Sequence, residues 1–305
     1  MAKQAPYTLD DLTSREALDA GAAKPARLAV IGHPVAHSAS PRMHQRALDE
    51  LGIDVRYIKL VFPAGRLGEA LSRLRQLGFL GCNITVPHKI EALDACDDIN
   101  PAAVELGAVN TVVFGADGRA TGYNTDGPGF ERAIAENFGT GLAGLRILIT
   151  GAGGGAGQAL AMHCAQAGAS RLVLINRTLA KLDPLIARIR HLHPQTTVHA
   201  LAPDSLQLAG VAHQCQLIVN TTSLGLKEDD PSPLAHDCFA AHHMVFDSIY
   251  QPPYTSFLEA AEGAGARIAN GASMLLHQGV LAFSLWFPGR EPVAAMRAGL
   301  TQGAC

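Results

Sequence analysis

The chain has 305 residues, of which 48% are apolar and 17% charged, and its formal net charge is −3. This length is more than one compact core usually holds, so the composition predicts a globular protein of two domains. Because there is no basic run, nucleic acid is not expected as a partner. No apolar stretch reaches the roughly 18 residues of a membrane span, and the N-terminus lacks a signal-peptide pattern, so we expect a cytoplasmic protein. The six cysteines form no C-x-x-C pair, which predicts reduced thiols and no metal site.

The first half of the chain reads as strands that alternate with helices. Residues 1–26 are expected to form a loosely attached leader with at most one short helix. Residues 27–32 read as a buried strand, which a Pro- and Ser-rich loop follows. Ser40 before Pro41 is typical of an N-cap with proline at the first helical position, and predicts a helix that ends near Gly52. The other elements predicted in this half are strands at 55–62, 81–86, 109–114 and 119–123 and helices at 67–77 and 89–95.

A second pattern of strands and helices begins at residue 145. A strand over 145–150 leads directly into a glycine-rich loop and a helix over 156–167. An apolar helix over 274–286 is expected to pack between the two domains or back on the first. Strands that alternate with helices in both halves indicate open α/β sheets. The later strands of this half are predicted at 171–175, 217–220, 244–247 and 266–269.

The glycine-rich loop fits the pattern of a dinucleotide-binding turn, Gly151-x-Gly153-x-x-Ala156. Small residues let the backbone turn tightly and approach a pyrophosphate, whose charge the helix N-terminus favours. The alternative is a plain glycine-rich turn of an α/β protein. We predict a Rossmann-type domain whose phosphate loop consists of Gly151, Ala152, Gly153, Gly154 and Gly155.

The end of the second strand in this domain indicates which dinucleotide binds. NAD sites usually carry an acidic residue there for the ribose 2′-hydroxyl. This chain instead has Asn176, Arg177 and Thr178, with Lys181 one turn later. Since an arginine binds a 2′-phosphate through charge-assisted hydrogen bonds, the sequence favours NADP. The alternative for Arg177 is an ordinary surface charge.

Two polar segments before the glycine loop end in residues suited to proton transfer, Lys89 and Asp126. Hydride transfer to a carbonyl leaves an alkoxide that needs a proton donor, and a lysine kept charged by a nearby carboxylate can be that donor. A cation is unfavourable in the first turn of the helix predicted from Lys89, which supports a functional role. Asp126 could instead cap the helix that includes Phe130.

Read together, the motifs resemble those of the shikimate dehydrogenase family, from about residue 28 to residue 286. The resemblance implies a reversible, NADP-dependent reduction of 3-dehydroshikimate to shikimate, with Lys89 and Asp126 as the catalytic pair. The matching segments are Gly32-x-Pro34-x-x-His37-Ser38-x-Ser40-Pro41, Asn83-x-Thr85-x-Pro87-x-Lys89, Gly107-Ala108-Val109-Asn110-Thr111, Gly122-x-Asn124-Thr125-Asp126, Asn176-Arg177-Thr178, Asn220-Thr221-Thr222, Asp247-x-x-Tyr250 and Gly271-x-x-Met274-Leu275-x-x-x-Gln278.

The resemblance also implies roles for the other polar residues of these motifs. Ser38 and Ser40 would hold the substrate carboxylate, although Ser40 could simply cap its helix. Asn110 and Gln278 carry amides that donate and accept at once, as a polyol needs, but Gln278 could be a buried amide bonded to backbone. The residues expected to contact the ring hydroxyls are Thr85, Asn110, Asp126 and Gln278. Tyr250 is expected to make a further substrate contact, and Asn83 to form the wall of the site with Thr85.

The resemblance divides the chain into a leader (1–26), a substrate-binding catalytic domain (27–129), an NADP-binding domain (130–270) and C-terminal helices that pack on the catalytic domain (271–305). The substrate is expected in the cleft between the domains, with Ser248 and Gly271 beside the nicotinamide. The protein would act on this small molecule as a monomer or homodimer.

The chain departs from the common family pattern in its leader, in Ala272-Ser273 and in Tyr254-Thr255-Ser256, and none of these removes a catalytic group. Two alternatives stay open. A quinate or dual quinate/shikimate dehydrogenase would more often carry threonine in place of Ser40 and an acidic residue near Arg177. A catalytically idle NADP-binding regulatory protein would not need both Lys89 and Asp126.

Overall fold

The structure, a computed structural model, describes residues 5–301. The described residues fold into two compact units: the first contains residues 5–125 and 276–301, and the second contains Asp126–Leu275. Residues 1–4 of the predicted leader and residues 302–305 of the predicted C-terminal segment, with Cys305, lie outside the described part. The predicted α/β fold is confirmed, whereas the domain limits drawn from the motifs stay predictions.

The described residues of the first unit contain a mixed six-stranded sheet in the order β2-β1-β3-β5-β6-β4. Its strands are β1 (Ala26–Ile31), β2 (Arg56–Leu60), β3 (Gly81–Ile84), β4 (Asp98–Ile99), β5 (Thr111–Phe114) and β6 (Ala120–Tyr123). β1 is parallel to both β2 and β3, and β5 is antiparallel to both β3 and β6. β1 is apolar and almost fully buried because it lies between two parallel neighbours inside the sheet.

Five α-helices accompany this sheet among residues 5–125. They are α1 (Arg15–Leu18), α2 (Ser40–Glu50), α3 (Leu67–Gln76), α4 (Ala92–Ala95) and α5 (Pro101–Leu106). The sequence prediction overlooked α5, although both of its ends carry signals. The Asn100 side chain accepts the N–H of Ala102, Pro101 lies in the first turn, and Gly107 ends the helix with φ +70°.

The expectation that the leader is loosely attached is wrong for residues 5–26. The backbone of Tyr7 bonds to the β2 region on both sides, donating to Lys59 and accepting from Val61, each at 2.8 Å. Leu9, Leu12 and Leu18 are buried in the core that β1, β2 and α3 share, at 2–3% exposure. The leader is therefore part of the hydrophobic core, because its leucines provide apolar area that this small unit buries.

The second unit contains a parallel six-stranded sheet among its residues 126–275. Its strands are β7 (Arg146–Thr150), β8 (Arg171–Ile175), β9 (Thr197–Leu201), β10 (Leu217–Asn220), β11 (Met244–Asp247) and β12 (Arg267–Asn270). Its helices are α6 (Asp126–Phe138), α7 (Gly155–Gln166), α8 (Asp183–Leu192), α9 (Leu208–Ala212) and α10 (Ser256–Gly263). The order β12-β11-β10-β7-β8-β9 reverses direction between β7 and β10. Ligands of such sheets bind beyond the carboxyl ends of the strands at this switch point, where the glycine loop after β7 lies.

Two helices end the described chain, α11 (Ala272–Trp286) and α12 (Val293–Thr301). The part of α11 from Leu276 onward packs on the first unit's sheet, and the Trp286 indole donates to the carbonyl of Val112 at 3.0 Å. At Gly299 a Cβ atom would lie 2.8 Å from the carbonyl of Arg42, so α12 approaches α2 closely. No helix between residues 5 and 301 has the length and apolarity needed to cross a bilayer.

Candidate active site

The carboxyl ends of β1 and β3 place two predicted substrate-binding loops side by side. The backbone N–H of Thr85 donates to Ile31 (2.8 Å), and that of His33 donates to Val86 (2.9 Å). Between these bonds lies Gly32, where a Cβ atom would come within 2.4 Å of the Thr85 side chain. Glycine at this position therefore allows the loop after β1 to lie against Thr85.

The loop after β1 carries both serines predicted to bind a carboxylate. α2 begins at Ser40, and its N-cap is Ala39, which makes no side-chain capping bond. The prediction that Ser40 caps this helix is therefore wrong, because the helix begins one residue earlier. The N–H of Ser40 donates to the hydroxyl of Ser38 at 3.3 Å, and the ammonium of Lys59 donates to the carbonyl of Ala36. Both serines thus lie at a helix N-terminus, where an anion is favoured.

Lys89 lies in a hydrogen-bonded turn that covers residues 86–91, and α4 begins only after it. The prediction that Lys89 starts a helix is wrong, because the carbonyl of Lys89 accepts the N–H of Val109 at 2.9 Å. A continuing helix would have used that carbonyl for its own ladder. The bond instead ties the turn to the chain just before Asn110, so these two predicted site residues lie close together.

The side chain of His88 also holds the Lys89 turn, a role that the sequence did not indicate. The imidazole is fully buried, with the Phe62 carbonyl 3.2 Å from one ring nitrogen and the Glu91 carboxylate 3.1 Å from the other. Burial pushes the pKa of Glu91 up, but hydrogen bonds from the N–H of Leu67 and from His88 bring it below its ordinary value. His88 therefore connects the turn to Phe62, and Glu91 connects it to the backbone of Leu67.

Asn110 connects the Lys89 turn to the chain that leads into Asp126. Its carbonyl accepts the N–H of Ile84, and its side-chain oxygen accepts the N–H of Thr125, both at 2.8 Å. Asn110 and Thr125 are buried, at 2% and 4% exposure. Asp126 follows as the first residue of α6 and so is helical rather than the cap before the helix. A carboxylate in that first turn is favoured by the helix dipole.

The amide of Asn83 is bonded to protein groups. Its oxygen accepts from the hydroxyl of Tyr57 at 2.6 Å, and its nitrogen donates to the hydroxyl of Thr111 at 3.1 Å and to the carbonyl of Asn110 at 3.4 Å. Asn83 therefore links Tyr57, Thr111 and Asn110 through hydrogen bonds, which the sequence did not indicate. Its direct contact with a substrate stays a prediction.

Gln278 lies on α11 in the part that belongs to the first unit, and it is 8% exposed. A Cβ atom at the next residue, Gly279, would come within 2.2 Å of the Met43 side chain on α2. The glycine therefore lets α11 approach α2 closely. This contact places Gln278 beside the helix that begins at Ser40.

In the second unit, the glycine loop follows β7 as predicted. Gly151 has φ +79°, a conformation that favours glycine, and its N–H donates to the carbonyl of Ile175 at 2.9 Å. Ala152, the next residue of the loop, is fully buried. α7 begins at Gly155, and its N-cap, Gly154, offers no side chain to the first N–H groups. The exposed backbone at this helix start fits a pyrophosphate, which would accept from those N–H groups.

The end of β8 adjoins the glycine loop through Asn176. The N–H of Gly153 donates to the Asn176 side chain at 3.3 Å, and a Cβ atom at Gly153 would come within 2.6 Å of that amide. The Asn176 nitrogen donates in turn to the carbonyl of Thr178 at 2.7 Å. Arg177, Thr178 and Lys181 are exposed. The two exposed cations suit a phosphate ester next to the dinucleotide loop.

The end of β11 holds the residues expected near a nicotinamide. A Cβ atom at Gly271 would come within 2.1 Å of the Ser248 carbonyl oxygen, so these two predicted residues are in contact. Buried Asp247 accepts the Thr255 hydroxyl at 2.6 Å and the backbone N–H two residues further on at 3.0 Å. Burial raises the pKa of Asp247, although its hydrogen bonds oppose that shift. The loop that leads to half-buried Tyr250 is therefore anchored on β11.

Fold and site together define a class of protein. A parallel sheet with a glycine loop at its switch point binds a dinucleotide, and exposed cations beside it suit a 2′-phosphate. The first unit, also α/β, presents hydroxyls, amides and a lysine at one edge of its sheet. These are the parts of a nicotinamide-nucleotide-dependent dehydrogenase that acts on a small polar substrate.

The comparisons with known proteins specify the family. The substrate binding domain of shikimate dehydrogenase matches residues 30–112, and the shikimate 5′-dehydrogenase C-terminal domain matches residues 271–299. A shikimate dehydrogenase (NADP(+)) of Symbiobacterium thermophilum is 39% identical over 272 residues, which cover 88% of this chain and 92% of the relative. This chain belongs to the shikimate dehydrogenase family.

Solved structures of similar proteins share the fold of most of this chain. Shikimate 5-dehydrogenase from Thermus thermophilus, in complex with NADP(H) and shikimate, has a TM-score of 0.79 and 36% identity, over 91% of this chain and 99% of that one. Quinate dehydrogenase from Corynebacterium glutamicum, in complex with NAD, has a TM-score of 0.81 and 30% identity, over 90% and 98% of the two chains. The fold alone therefore does not distinguish the two substrates.

Proposed function

We propose that this protein catalyses the reversible, NADP-dependent interconversion of 3-dehydroshikimate and shikimate. The observation that carries the proposal is the grouping at one edge of the first unit's sheet. There, backbone hydrogen bonds tie together the loop after β1 that carries Ser38 and Ser40, the segment of Thr85, the Lys89 turn and Asn110. A carboxylate site, a proton donor and an amide are the groups that a cyclic polyol acid requires.

In this proposal the first unit binds and orients the substrate. The hydroxyls of Ser38 and Ser40 hold the carboxylate at the start of α2, since a helix N-terminus stabilises an anion there. The residues proposed to surround the ring oxygens are Asn83, Thr85, Asn110, Asp126, Tyr250 and Gln278. Because these groups donate and accept hydrogen bonds in fixed directions, they orient the reacting carbon.

Lys89 and Asp126 are proposed as the catalytic pair. NADPH, when bound, supplies the hydride for the reductive direction. Lys89 then donates a proton to the oxygen that becomes the hydroxyl, and in the oxidative direction it accepts that proton. The Asp126 carboxylate stabilises the charged form of Lys89 and accepts a hydrogen bond from the substrate.

The second unit is proposed to hold NADP. The pyrophosphate would accept from the backbone of residues 151–155, and the 2′-phosphate would lie against Asn176, Arg177, Thr178 and Lys181. Ser248 and Gly271 would lie beside the nicotinamide. Replacing Arg177 with alanine should raise KM for NADP+ by about tenfold or more and leave KM for NAD+ unchanged, because only the 2′-phosphate uses this guanidinium. Equal effects on both cofactors would contradict this assignment.

The assay that tests the function compares shikimate and quinate, each with NADP+ and NAD+. Quinate is the second candidate because the quinate dehydrogenase above shares the fold. We expect the highest kcat/KM for shikimate with NADP+, since Arg177 replaces the acidic residue of an NAD site. A higher kcat/KM for quinate with NAD+ would refute the assignment. Location in the cytoplasm and a monomeric or homodimeric state stay predictions.

Replacing Lys89 with alanine tests the proton-transfer role. We expect kcat to fall at least ~10²-fold with the fold retained, in line with the contribution of a general acid. Lys227→Ala is the matched control, because Lys227 is an exposed lysine of the second unit. An unchanged kcat for Lys89→Ala would exclude the proposed role.

A further inference from the structure

Several buried polar side chains of the first unit are linked by hydrogen bonds that converge on the hydroxyl of Thr111. Its hydroxyl lies 3.1 Å from the Asn83 side-chain nitrogen and 3.0 Å from the Asn110 side-chain oxygen. It also lies 3.3 Å from the hydroxyl of Thr125. Thr111 is fully buried, so all of these bonds are shielded from water. Neither the motifs nor the proposed function assigns Thr111 a role.

Backbone groups determine the direction of the bonds that run from Asn83 through Thr111 to Asn110. The Thr125 N–H can only donate, so the side-chain atom of Asn110 that faces it at 2.8 Å must be the oxygen. The Asn110 carbonyl can only accept, so the side-chain atom of Asn83 that faces it at 3.4 Å must be the nitrogen. Between these two fixed amides, the Thr111 hydroxyl accepts from Asn83 and donates to Asn110.

A hydrogen bond from Tyr57 fixes Asn83 in the same sense. The hydroxyl of Tyr57 donates to the Asn83 side-chain oxygen at 2.6 Å. Burial, and then the nearby Cys82, raise the pKa of Tyr57 well above 10, so its hydroxyl stays a donor. The Tyr57 ring is itself held by a parallel stack on His44, with centroids 4.6 Å apart. The orientation of Asn83 is therefore set from both sides.

The consequence concerns what Asn110 can offer a ligand. A carbonyl oxygen has two lone pairs, and the Asn110 side-chain oxygen already accepts from three protein donors: the Thr125 N–H, the Thr111 hydroxyl and, at 3.1 Å, the Thr125 hydroxyl. One N–H of its amide donates to the Thr125 hydroxyl at 3.0 Å. The second N–H of this amide is therefore the group that Asn110 can offer to an accepting ligand oxygen, whether a hydroxyl or a carbonyl.

We propose that Thr111 is a positioning residue for the reaction: its hydroxyl, held by Asn83, fixes the Asn110 amide so that Asn110 donates to a substrate oxygen and anchors Thr125. This inference rests on the proposed function, in which Asn110 contacts the substrate. Because Thr125 directly precedes Asp126, the same bond fixes the start of the chain segment that carries the proposed catalytic carboxylate. Thr111 would act only through Asn110, without touching the substrate.

Thr111→Val and Thr111→Ser separate the hydroxyl from the shape of the side chain. Valine keeps the volume and removes the bond to Asn110, so kcat/KM for shikimate should fall about 10- to 100-fold while KM for NADP+ stays unchanged. Serine keeps the hydroxyl and should retain kcat/KM within about threefold. Thr196→Val is the matched control, because the buried hydroxyl of Thr196 donates to the carbonyl of Ala169 in the second unit. A wild-type kcat/KM in Thr111→Val, or an equal loss in Thr196→Val, would overturn the proposal.

A double-mutant cycle tests whether Thr111 acts through Asn110. If it does, Thr111→Val should lower kcat/KM no further in an Asn110→Ala background. Effects that multiply independently would show that Thr111 acts by another route and would overturn the proposal.

Hydrogen exchange gives a readout that needs no turnover. The Thr125 amide should exchange at least about tenfold faster in Thr111→Val than in the wild type, because its acceptor has lost its orientation. Serine at position 111 should keep the wild-type rate, and an unchanged rate in the valine variant would overturn the positioning role. If the wild-type enzyme does not oxidise shikimate, the proposed function fails, and this exchange experiment still decides whether Thr111 orients Asn110.

Discussion

Replacing His44 with phenylalanine should make the first unit less sensitive to acid. His44 is fully buried on α2, between the rings of Tyr57 and Phe283, and neither of its ring nitrogens has a hydrogen-bond partner in the described part of the chain. Burial lowers the pKa of His44 from 6.5 to about 3, because the charged imidazole would lose its hydration there. The unfolded chain therefore binds a proton at pH values where the folded chain does not.

The sign and size of the effect follow from this difference. A group whose pKa is lowered by folding contributes its full stability above its unfolded pKa, and that contribution is lost as the pH falls through the window from 6.5 to about 3. At about 1.4 kcal/mol per unit, the whole window corresponds to about 5 kcal/mol. The step from about pH 7.5 to about pH 5 corresponds to about 2 kcal/mol. Phenylalanine keeps the ring stacked on Tyr57 and binds no proton, so this loss of about 2 kcal/mol on acidification should disappear.

The assay is urea unfolding followed by the fluorescence of Trp286. This residue is the single tryptophan of the chain, and its ring centroid lies 5.4 Å from that of His44 in the same unit. The free energy of unfolding is measured for both proteins at the two pH values. The pKa of His243 is also lowered, to about 4 by burial, but His243 lies in the second unit and is present in both proteins. If His44→Phe loses as much stability on acidification as the wild type, the reasoning is refuted.

Two further predictions use the same fluorescence. Leu12→Ala should lower the free energy of unfolding by about 2–5 kcal/mol, because Leu12 is buried in the core of the first unit. Leu206→Ala, the control at a fully exposed leucine, should change it by less than about 0.5 kcal/mol. An unchanged free energy of unfolding in Leu12→Ala would mean that the leader is not part of that core. Gly81→Ala should lower the unfolding midpoint and shift the Trp286 emission to longer wavelength, since its Cβ atom would lie 2.2 Å from the Trp286 indole nitrogen. Gly68→Ala, the control, should be neutral or stabilising, because its Cβ atom would meet nothing within 4 Å. Wild-type emission in Gly81→Ala would contradict this packing.

Much of the second unit could be predicted because its inner strands are continuous apolar runs. Three strands, 171–175, 217–220 and 244–247, have the predicted bounds, since a parallel strand with neighbours on both sides buries nearly all of its residues; here only Arg171 is half-buried. β9 was missed because it lies at the sheet edge, where Thr197 and His199 are exposed and break the run. The leader was misjudged for a related reason, because its few leucines contact partners that lie far along the chain.

The residue types of the candidate site could be proposed from the motifs, but their arrangement could not. The motifs indicated a lysine, hydroxyls and amides. The turn around Lys89 depends on Val109, and the orientation of Asn83 depends on Tyr57, 26 residues earlier. Local propensity contains no information about such pairs, since each bond forms only after the sheet has brought its strands together.

The two units hold their site residues in different ways, and this difference has a consequence for substitution. In the first unit, Asn83, Asn110 and Thr125 are buried and share hydrogen bonds, so a change at one alters the bonds of the others. In the second unit, Arg177 and Lys181 are exposed at the end of β8 and its following turn. Exposed side chains lose little packing when they are replaced. Preference between NADP and NAD should therefore change by single substitutions near Arg177, whereas substrate preference should require coordinated changes in the buried chain of Asn83, Thr111 and Asn110.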